Sequence, residues 1–179
     1  MTVLIRCLSA LLWSGIAAFA VWHFYSDELT PADRKILFVG NSFLFMGDVP
    51  GQVRRLAASG PEPIVYHTRM IAKPSYRLAQ HVEEGEALRE LRSGVWDVVV
   101  LQEFSGGTFT AAGRAEMLGA VERLGAAARE AGTEVVLYAH WPPGPALEEG
   151  RAGRVDWIAQ AYGEVAAATG ASLAPVGRL

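Results

Sequence analysis

A serine follows directly on the first predicted strand of the chain. The apolar run Ile36–Val39 leads into Gly40, Asn41 and Ser42, and ligands of parallel sheets bind beyond the carboxyl ends of the strands. Gly40 permits a tight turn, and the backbone amides that follow it can point at a developing oxyanion. The pattern fits a nucleophile at Ser42, and the alternative is an ordinary strand-to-helix turn in which Ser42 caps the helix.

A serine nucleophile needs an adjacent base, usually a histidine that a carboxylate orients. The chain has four histidines. His23 lies in an N-terminal apolar run, and His67 and His81 lie in a predicted strand and helix where structural roles are expected. His140 ends the fourth predicted strand on the same edge as Ser42, although two strand spacings of about 4.8 Å separate the two strands. His140 is therefore the candidate base, or a residue that lines the pocket.

The elements that would position these residues alternate along the chain. From Lys35 onward, short β-branched runs alternate with longer amphipathic stretches, which predicts helices packed on a mostly parallel sheet. The predicted strands are Ile36–Val39, Ile64–Thr68, Asp97–Leu101, Glu134–Ala139 and a weaker Ser172–Val176. Helical spacing or a following glycine predicts helices over Val49–Ser59, Leu78–Ser93, Met117–Ala128 and Val155–Ala166. The sequence therefore predicts one α/β domain with a central parallel sheet of about five strands.

Composition excludes several classes of function. The chain has 179 residues, of which 51% are hydrophobic and 20% charged, so one packed core is expected. The net charge is −3, and the 16 basic residues are scattered, so nucleic acid is not an expected partner. The chain has a single cysteine and contains neither a zinc-binding motif nor a P-loop motif. No metal and no other cofactor is therefore expected.

The N-terminus predicts export. The run Cys7–Tyr25 contains no Asp, Glu, Lys or Arg, which suits a signal peptide or a short membrane anchor over residues 1–25. Ala18–Ala20 fits a cleavage site, whereas Val21–Tyr25 prolongs the apolar run, so a secreted or periplasmic protein and a membrane-anchored one both remain open. A buried core helix is the third alternative. Residues 26–34 read as a linker, and residues 35–179 as the folded domain.

Several motifs in order resemble a known enzyme family. The motif segments are Ile36–Phe43 (ILFVGNSF), Leu78–His81 (LAQH), Gly94–Ser105 (GVWDVVVLQEFS), Val135–Trp141 (VVLYAHW) and Ala174–Gly177 (APVG). Together they resemble the SGNH (GDSL-type) serine hydrolases, and more narrowly the branch that starts with GNSF. The resemblance implies a flavodoxin-like three-layer sandwich, Ser42 as nucleophile, and ester or acetyl-ester substrates, which are commonly carbohydrate esters in exported members.

The resemblance implies an oxyanion hole with one replaced donor. The Ser42 amide is the first donor, and the Gln102 side chain resembles the family's asparagine or glutamine donor. The alternative for Gln102 is a strand-end amide that caps a backbone group or faces solvent. The family's loop glycine before the Leu-x-x-His string is missing, because Ala72–Arg77 reads AKPSYR. The Ser75 amide is the candidate replacement, since Pro74 has no N–H to donate.

The resemblance also implies an Asp-x-x-His segment after the last strand, which holds the base and its orienting carboxylate. The sequence reads Pro175–Leu179 (PVGRL) at that point and contains neither residue, and Asp156 has no histidine three positions later. We therefore expect the domain to be C-terminally incomplete relative to the family. Glu103 is a candidate orienting carboxylate, and a solvated strand-end residue is the favoured alternative for it.

Two functions are compatible with this sequence. The first is an exported serine esterase or carbohydrate O-deacetylase, whose base comes from an unexpected histidine or from a segment outside these 179 residues, so that the chain as given is inactive. The second is a non-catalytic, degenerate SGNH domain that binds acylated carbohydrate. In both cases the partner is a small-molecule or carbohydrate ester, and the membrane is a partner only if the N-terminal segment is uncleaved.

Overall fold

Five parallel strands form the central sheet of the domain. The computed structural model describes residues 34–141 and 151–178, which lie within the unit Asp33–Leu179. The strands lie in the order β2-β1-β3-β4-β5, and every pairing is parallel. Their bounds are β1 Arg34–Gly40, β2 Tyr66–Ala72, β3 Val98–Leu101, β4 Glu134–Tyr138 and β5 Ser172–Ala174. The predicted α/β fold with a parallel sheet of five strands is confirmed.

Six helices connect or follow the strands among the described residues. They are α1 Ser42–Phe45, α2 Val49–Ala58, α3 Leu78–Glu84, α4 Glu86–Arg92, α5 Ala111–Glu130 and α6 Arg151–Thr169. Two short 3-10 turns cover Gly107–Phe109 and Val176–Arg178. Because all five strands are parallel, their carboxyl ends lie at one edge of the sheet, and the helices return the chain to the opposite edge.

Two elements differ from the sequence prediction. Strand β2 begins at Tyr66 and runs to Ala72, later than the predicted Ile64–Thr68, because its register pairs Arg34 with Tyr66 and Gly40 with Ala72. The single helix predicted over Leu78–Ser93 is two helices, since Gly85 adopts a φ of 77° and closes the first of them. Glycine favours this left-handed conformation at helix ends, where it stops the helix.

The sheet carries a different packing layer on each face. Leu37 and Val39 of β1 face the larger apolar cluster, to which α3, α4, α5 and α6 contribute. Ile36 and Phe38 point the other way, into a smaller cluster with Leu44 of α1. Alternate residues of a strand point to opposite faces, so β1 is buried on both sides and the turn after it is held from two layers.

The N-terminal predictions lie outside the described residues. The signal peptide or anchor over 1–25 and the linker over 26–34 fall on that part of the chain, apart from Arg34, which starts β1. Within residues 34–141 and 151–178, no helix has the length and apolar character needed to cross a bilayer.

Candidate active site

Ser42 follows the carboxyl end of β1, which lies between β2 and β3 in the sheet, and is the first residue of α1. The neighbouring strand β3 ends beside it, and the chain crosses to opposite sides of β1 to reach β2 and β3. In open α/β sheets this reversal of strand order opens a crevice for ligands. Ser42 is half-buried, and its hydroxyl makes no hydrogen bond with any residue of the described ranges. The hydroxyl is therefore free to meet a ligand.

A small apolar pocket opens beside Ser42. Its volume is about 250 Å³. Met46 is 82% exposed and Trp141 is 40% exposed, so apolar side chains stand at its rim without a protein partner covering them. The lining residues are Ser42, Phe43, Met46, Gly47 and Trp141. The part of a ligand that lies next to the hydroxyl therefore meets mostly apolar surface.

Asn41 fixes the backbone on which Ser42 sits. Its side chain is buried, and its Nδ2 donates to the Tyr76 carbonyl at 3.0 Å while its Oδ1 accepts the Phe43 amide at 3.3 Å. Its own backbone N–H donates to Gln102 Oε1 at 3.1 Å. Two other segments of the chain, the loop before α3 and the end of β3, are thus tied to the residue before the serine.

The buried Gln102 side chain supports this turn from β3. The residue is 0% exposed, its Oε1 accepts the Asn41 amide, and its Nε2 donates to the Glu103 carbonyl. A Cβ at Gly40 would lie 2.8 Å from Gln102 Oε1, so only glycine fits there. This geometry matches the alternative in which Gln102 caps a backbone group, and the oxyanion role of its side chain stays a prediction.

His81 supports the same turn from α3. It is buried, and its Nε2 lies 2.8 Å from the Gly40 carbonyl, which can only accept, so Nε2 carries the proton. The Tyr76 ring stands against the imidazole with the centroids 5.1 Å apart. Burial lowers the pKa of His81, which favours the neutral imidazole, while the bond to the Gly40 carbonyl acts against that lowering. His81 therefore has the structural role that the sequence predicted.

The loop before α3, which carries the candidate second oxyanion donor, is bonded to the turn before Ser42. The Lys73 amide donates to the Gly40 carbonyl at 3.3 Å, which holds the loop against this turn. Ser75 has a φ of 59°, a left-handed conformation that glycine adopts more readily than residues with a Cβ. Neither the Ser75 amide nor the Ser42 amide donates a hydrogen bond within residues 34–141 and 151–178. Their role as oxyanion donors stays a prediction.

Glu103 is not the solvated residue that the sequence favoured. It is 2% exposed, and its carboxylate accepts the Leu78 amide at 3.2 Å and the Phe104 amide at 2.7 Å. Its own N–H donates to the buried Tyr162 hydroxyl at 2.9 Å. Burial raises the pKa of Glu103, and the two amides act against that rise. The expectation was wrong because Glu103 anchors the start of α3 inside the domain.

His140 lies under the Phe43 ring at the end of β4. The centroids of the two rings are 4.8 Å apart, and the histidine is 1% exposed. Its Nδ1 lies 2.7 Å from the Trp141 carbonyl and must donate to it, so Nε2 carries the lone pair. That Nε2 has no hydrogen-bond partner, and burial lowers the pKa of the ring. His140 makes no hydrogen bond to Ser42, and Trp141 lines the pocket in its place.

The C-terminal 3-10 turn packs closely against the end of β4. The Gly177 amide donates to the Ala139 carbonyl at 2.9 Å, and a Cβ at Gly177 would lie 2.4 Å from the His140 carbonyl oxygen. Only glycine permits this approach. The chain after β5 therefore arrives at the edge of the sheet that carries Ser42.

Sequence reasoning missed three residues of the site. Phe43 and Met46 shape the pocket, and Tyr76 contributes a carbonyl to Asn41 and a ring to His81. Phe43 and Met46 could have been found from the sequence, because Phe43 belongs to the GNSF string and Met46 follows it by three residues, the spacing of one helix face. No pattern in a sequence indicates a backbone carbonyl, so the contact from Tyr76 needed the structure.

The chain is similar to solved structures that include a hydrolase and an acetylxylan esterase. A candidate SGNH hydrolase from Slackia heliotrinireducens is 27% identical, with a TM-score of 0.64 over 78% of this chain and 77% of the other. TesA is 21% identical, with a TM-score of 0.59 over 79% and 78%. The acetylxylan esterase Axe2 from Geobacillus stearothermophilus is 12% identical, with a TM-score of 0.59 over 79% and 75%. No protein-family model and no curated protein matches the chain.

Fold and site together define the class of protein. A parallel sheet in the order β2-β1-β3-β4-β5 with helices on both faces is a flavodoxin-like sandwich, and Ser42 lies at the end of β1. The motifs from Ile36 to Gly177 and the similarity to the Slackia protein agree on one class, the SGNH hydrolases. The structural neighbours support this family for the chain.

Proposed function

We propose that this domain is a serine esterase in which Ser42 attacks the carbonyl carbon of an ester when a histidine base is supplied from outside the described residues. The hydroxyl proton passes to that base, and a tetrahedral oxyanion forms. The alcohol then leaves as the acyl group is transferred to Ser42, and water releases the acid. The Ser42 and Ser75 amides are the oxyanion donors in this proposal.

One observation carries the proposal. The Ser42 hydroxyl, which has no hydrogen-bond partner within the described residues, lies beside an open pocket at the edge of the sheet, while the polar groups of Gly40 and Asn41 before it are paired. Donors that are fixed before the reaction stabilise the developing negative charge without reorganisation. A turn that served only to start α1 would not need its neighbours to be held from three segments.

The substrate in this proposal is an acyl ester of a carbohydrate or other small molecule. The apolar surface of Phe43, Met46 and Trp141 suits the acyl group or an apolar leaving group. Among the proteins of this fold, Axe2 is an acetylxylan esterase, which makes acetylated sugars the first substrates to test. The proposal needs no cofactor and no metal.

A second candidate function is binding without turnover. It is favoured by the position of His140, which is buried under Phe43 and makes no hydrogen bond to Ser42. A domain that keeps the pocket but has no base would hold acylated carbohydrate and release it unchanged.

The test compares the full chain with the same chain extended by an Asp-x-x-His segment of a related hydrolase. General-base assistance is worth about 10²–10⁴-fold, so we expect the extended protein to hydrolyse p-nitrophenyl acetate faster by a factor in that range. Ser42→Ala in the extended protein should abolish the gain, and Ser59→Ala, on the surface at the end of α2, should not. A fast, Ser42-dependent rate from the unextended chain would overturn the need for an outside base.

The same proteins separate the two functions. If the extended protein stays inactive yet binds acetylated xylo-oligosaccharides, and Trp141→Ala weakens that binding, the binding function replaces the esterase. Loss of a Ser42-dependent rate in His140→Ala would instead identify His140 as the base, after movement of Phe43.

Export is a separate part of the proposal. It is supported by the uncharged run Cys7–Tyr25 behind Arg6, since positive charges favour the inner side of the membrane. Alkaline phosphatase fused after Arg34 should be active in bacterial cells, and a cytoplasmic reporter fused there should be dark. The reverse pattern would remove export from the proposal.

A further inference from the structure

A second cavity, with a volume of about 300 Å³, opens between α5, α6 and the 3-10 turn before α5. It shares no lining residue with the pocket beside Ser42. Its lining residues are Phe109, Arg114, Trp157, Gln160, Ala161 and Glu164. None of these residues has a role in the chemistry proposed for Ser42, so the Ser42 reaction does not explain why this cavity is present.

An indole ring stands in the open part of this cavity. Trp157 is 57% exposed although it lines a concave surface. Ala161 follows it by four residues on the same face of α6, and its small side chain leaves room beside the ring. An exposed aromatic face in a concavity gains when a ligand covers it with apolar surface of its own.

The polar side chains of the cavity are held in place before any ligand arrives. Arg114 donates from Nη1 to the Thr108 carbonyl at 3.0 Å, and Gln160 donates from Nε2 to Glu164 Oε1 at 2.8 Å. The remaining guanidinium N–H groups of Arg114 have no partner within the described residues. The bond to Thr108 orients the Arg114 guanidinium toward the cavity rim, and the exposed Gln160 and Glu164 side chains add an amide and a carboxylate beside it.

The charged side chains that line the cavity restrict the chemical class of its ligand. Arg114 and Glu164 contribute one positive and one negative charge, so the cavity has no excess of cations for a phosphate and no excess of carboxylates for an ammonium group. A wholly apolar ligand would cover the remaining N–H groups of Arg114 and the other carboxylate oxygen of Glu164 without giving them hydrogen bonds. The ligand that fits is neutral, with one apolar face and several hydroxyl groups around its edge.

We propose that this cavity is a carbohydrate-binding site, separate from the Ser42 site, in which a neutral pyranose ring lies against the indole of Trp157. The C–H face of the sugar covers the ring, and its hydroxyl groups accept from Arg114 and exchange hydrogen bonds with Gln160 and Glu164. The site does not depend on turnover at Ser42.

The test uses affinity electrophoresis of the full chain in gels that contain soluble xylan, with titration calorimetry on xylohexaose, cellohexaose and chitohexaose. The variants are Trp157→Ala and, as the control, Leu56→Ala, which removes an exposed apolar side chain that lines neither pocket. Trp141→Ala is measured beside them as a report on the Ser42 pocket. We expect at least one of the three hexasaccharides to bind. Trp157→Ala should weaken binding by about tenfold or more, and Leu56→Ala by less than about twofold.

Arg114→Gln tests the polar half of the site, because it keeps a planar donor and removes the charge and the fork of N–H groups. We expect a loss of about threefold to tenfold in affinity. The proposal is overturned if none of the three sugars binds, or if Trp157→Ala binds as the parent does. Loss of binding in Trp141→Ala alone would place the sugar at the Ser42 pocket, which contradicts this site and leaves the proposed function standing.

Discussion

The two sides of the Ser42 turn are built in different ways. On the side of β3 and α3, polar atoms hold the turn: Gln102 binds the Asn41 amide, and His81 binds the Gly40 carbonyl. On the side of β4, an aromatic ring packs on His140, whose Nε2 is buried without a partner. Buried polar atoms are nearly always paired in native proteins. The comparison teaches that the turn before Ser42 is fixed by hydrogen bonds from other segments of the chain, whereas on the β4 side the His140 ring is held by aromatic packing and by one hydrogen bond to the adjacent Trp141 carbonyl.

The largest expected effect is at Gln102. Gln102→Leu removes the partners of the Asn41 amide and the Glu103 carbonyl, both in the buried part of the turn. Each unpaired buried group costs about 1–3 kcal/mol, so the free energy of unfolding should fall by about 2–5 kcal/mol in urea denaturation. Gln52→Leu is the matched control, because Gln52 is exposed on α2 and should change stability by less than about 0.5 kcal/mol. Equal effects of the two variants would show that hydrogen bonds do not hold the turn.

The next effect tests the packed side. Gly177→Ala places a Cβ 2.4 Å from the His140 carbonyl oxygen and 2.9 Å from the Trp141 amide. Overpacking of this kind costs about 1–3 kcal/mol, which thermal or chemical unfolding would detect. Gly163→Ala is the control, since a Cβ there meets no atom within 4 Å and alanine favours the interior of α6. A stable Gly177→Ala protein would mean that the C-terminal turn does not pack against β4 in solution.

The third effect is a pH dependence shared by both sides. Burial lowers the pKa of His81 and of His140 in the folded state, so the unfolded chain binds protons more readily. Their contribution to stability is therefore complete above about pH 6.5, the unfolded value, and is lost as the pH falls through the folded values. Each group changes the free energy of unfolding by at most about 1.4 kcal/mol per pH unit.

Glutamine variants separate the two histidines. His81→Gln keeps an Nε2 donor for the Gly40 carbonyl and should flatten the slope between about pH 5 and 7 with little loss of stability at pH 8. His140→Gln should flatten the slope as well. Urea denaturation at several pH values gives both slopes, and slopes equal to that of the parent would contradict the burial of neutral imidazoles.

The position of Ser42 was predictable from the sequence, and the way it is held was not. The apolar run Ile36–Val39 and the glycine after it locate the end of β1, because a strand buried on both faces is apolar throughout. The same reasoning places Gln102 after the third strand, and the helical pattern places His81 in the helix that begins at Leu78. Their partners are backbone atoms that lie 61 and 41 residues away along the chain, and no local pattern encodes such contacts.

The errors of sequence reasoning have physical causes. Glu103 was expected in solvent because carboxylates are mostly exposed. Its burial is compensated by two backbone amides, those of Leu78 in α3 and of the adjacent Phe104, which donate to the carboxylate. Strand β2 was placed too early because Ile64 and Val65 have high strand propensity, although both are exposed ahead of the strand. For both Glu103 and strand β2, contacts with residues distant in the sequence outweighed the average preference of the residue type.

The smallest expected effect is at Ser75. Its φ of 59° is unfavourable for residues with a Cβ, and Ser75→Gly should raise the free energy of unfolding by up to about 1 kcal/mol. Ser75→Val should lower it, because a branched side chain tolerates this conformation least. Ser59→Gly is the control, since Ser59 has a φ of −93° and relief of strain is not expected there. A loss of stability in Ser75→Gly equal to that in Ser59→Gly would show that Ser75 is not strained.

The C-terminal turn has a practical consequence for assays of this protein. Because Gly177 lies against the backbone of His140, the described chain ends at Arg178 near the edge of the sheet that carries Ser42. A C-terminal polyhistidine purification tag would bring several imidazoles within reach of a serine that has no base among the described residues, since a few extended residues span more than about 10 Å. Hydrolysis measured on such a tagged protein would report on the tag as much as on the domain. An untagged protein, or one whose tag is removed by a protease, gives the rate that the domain itself supports.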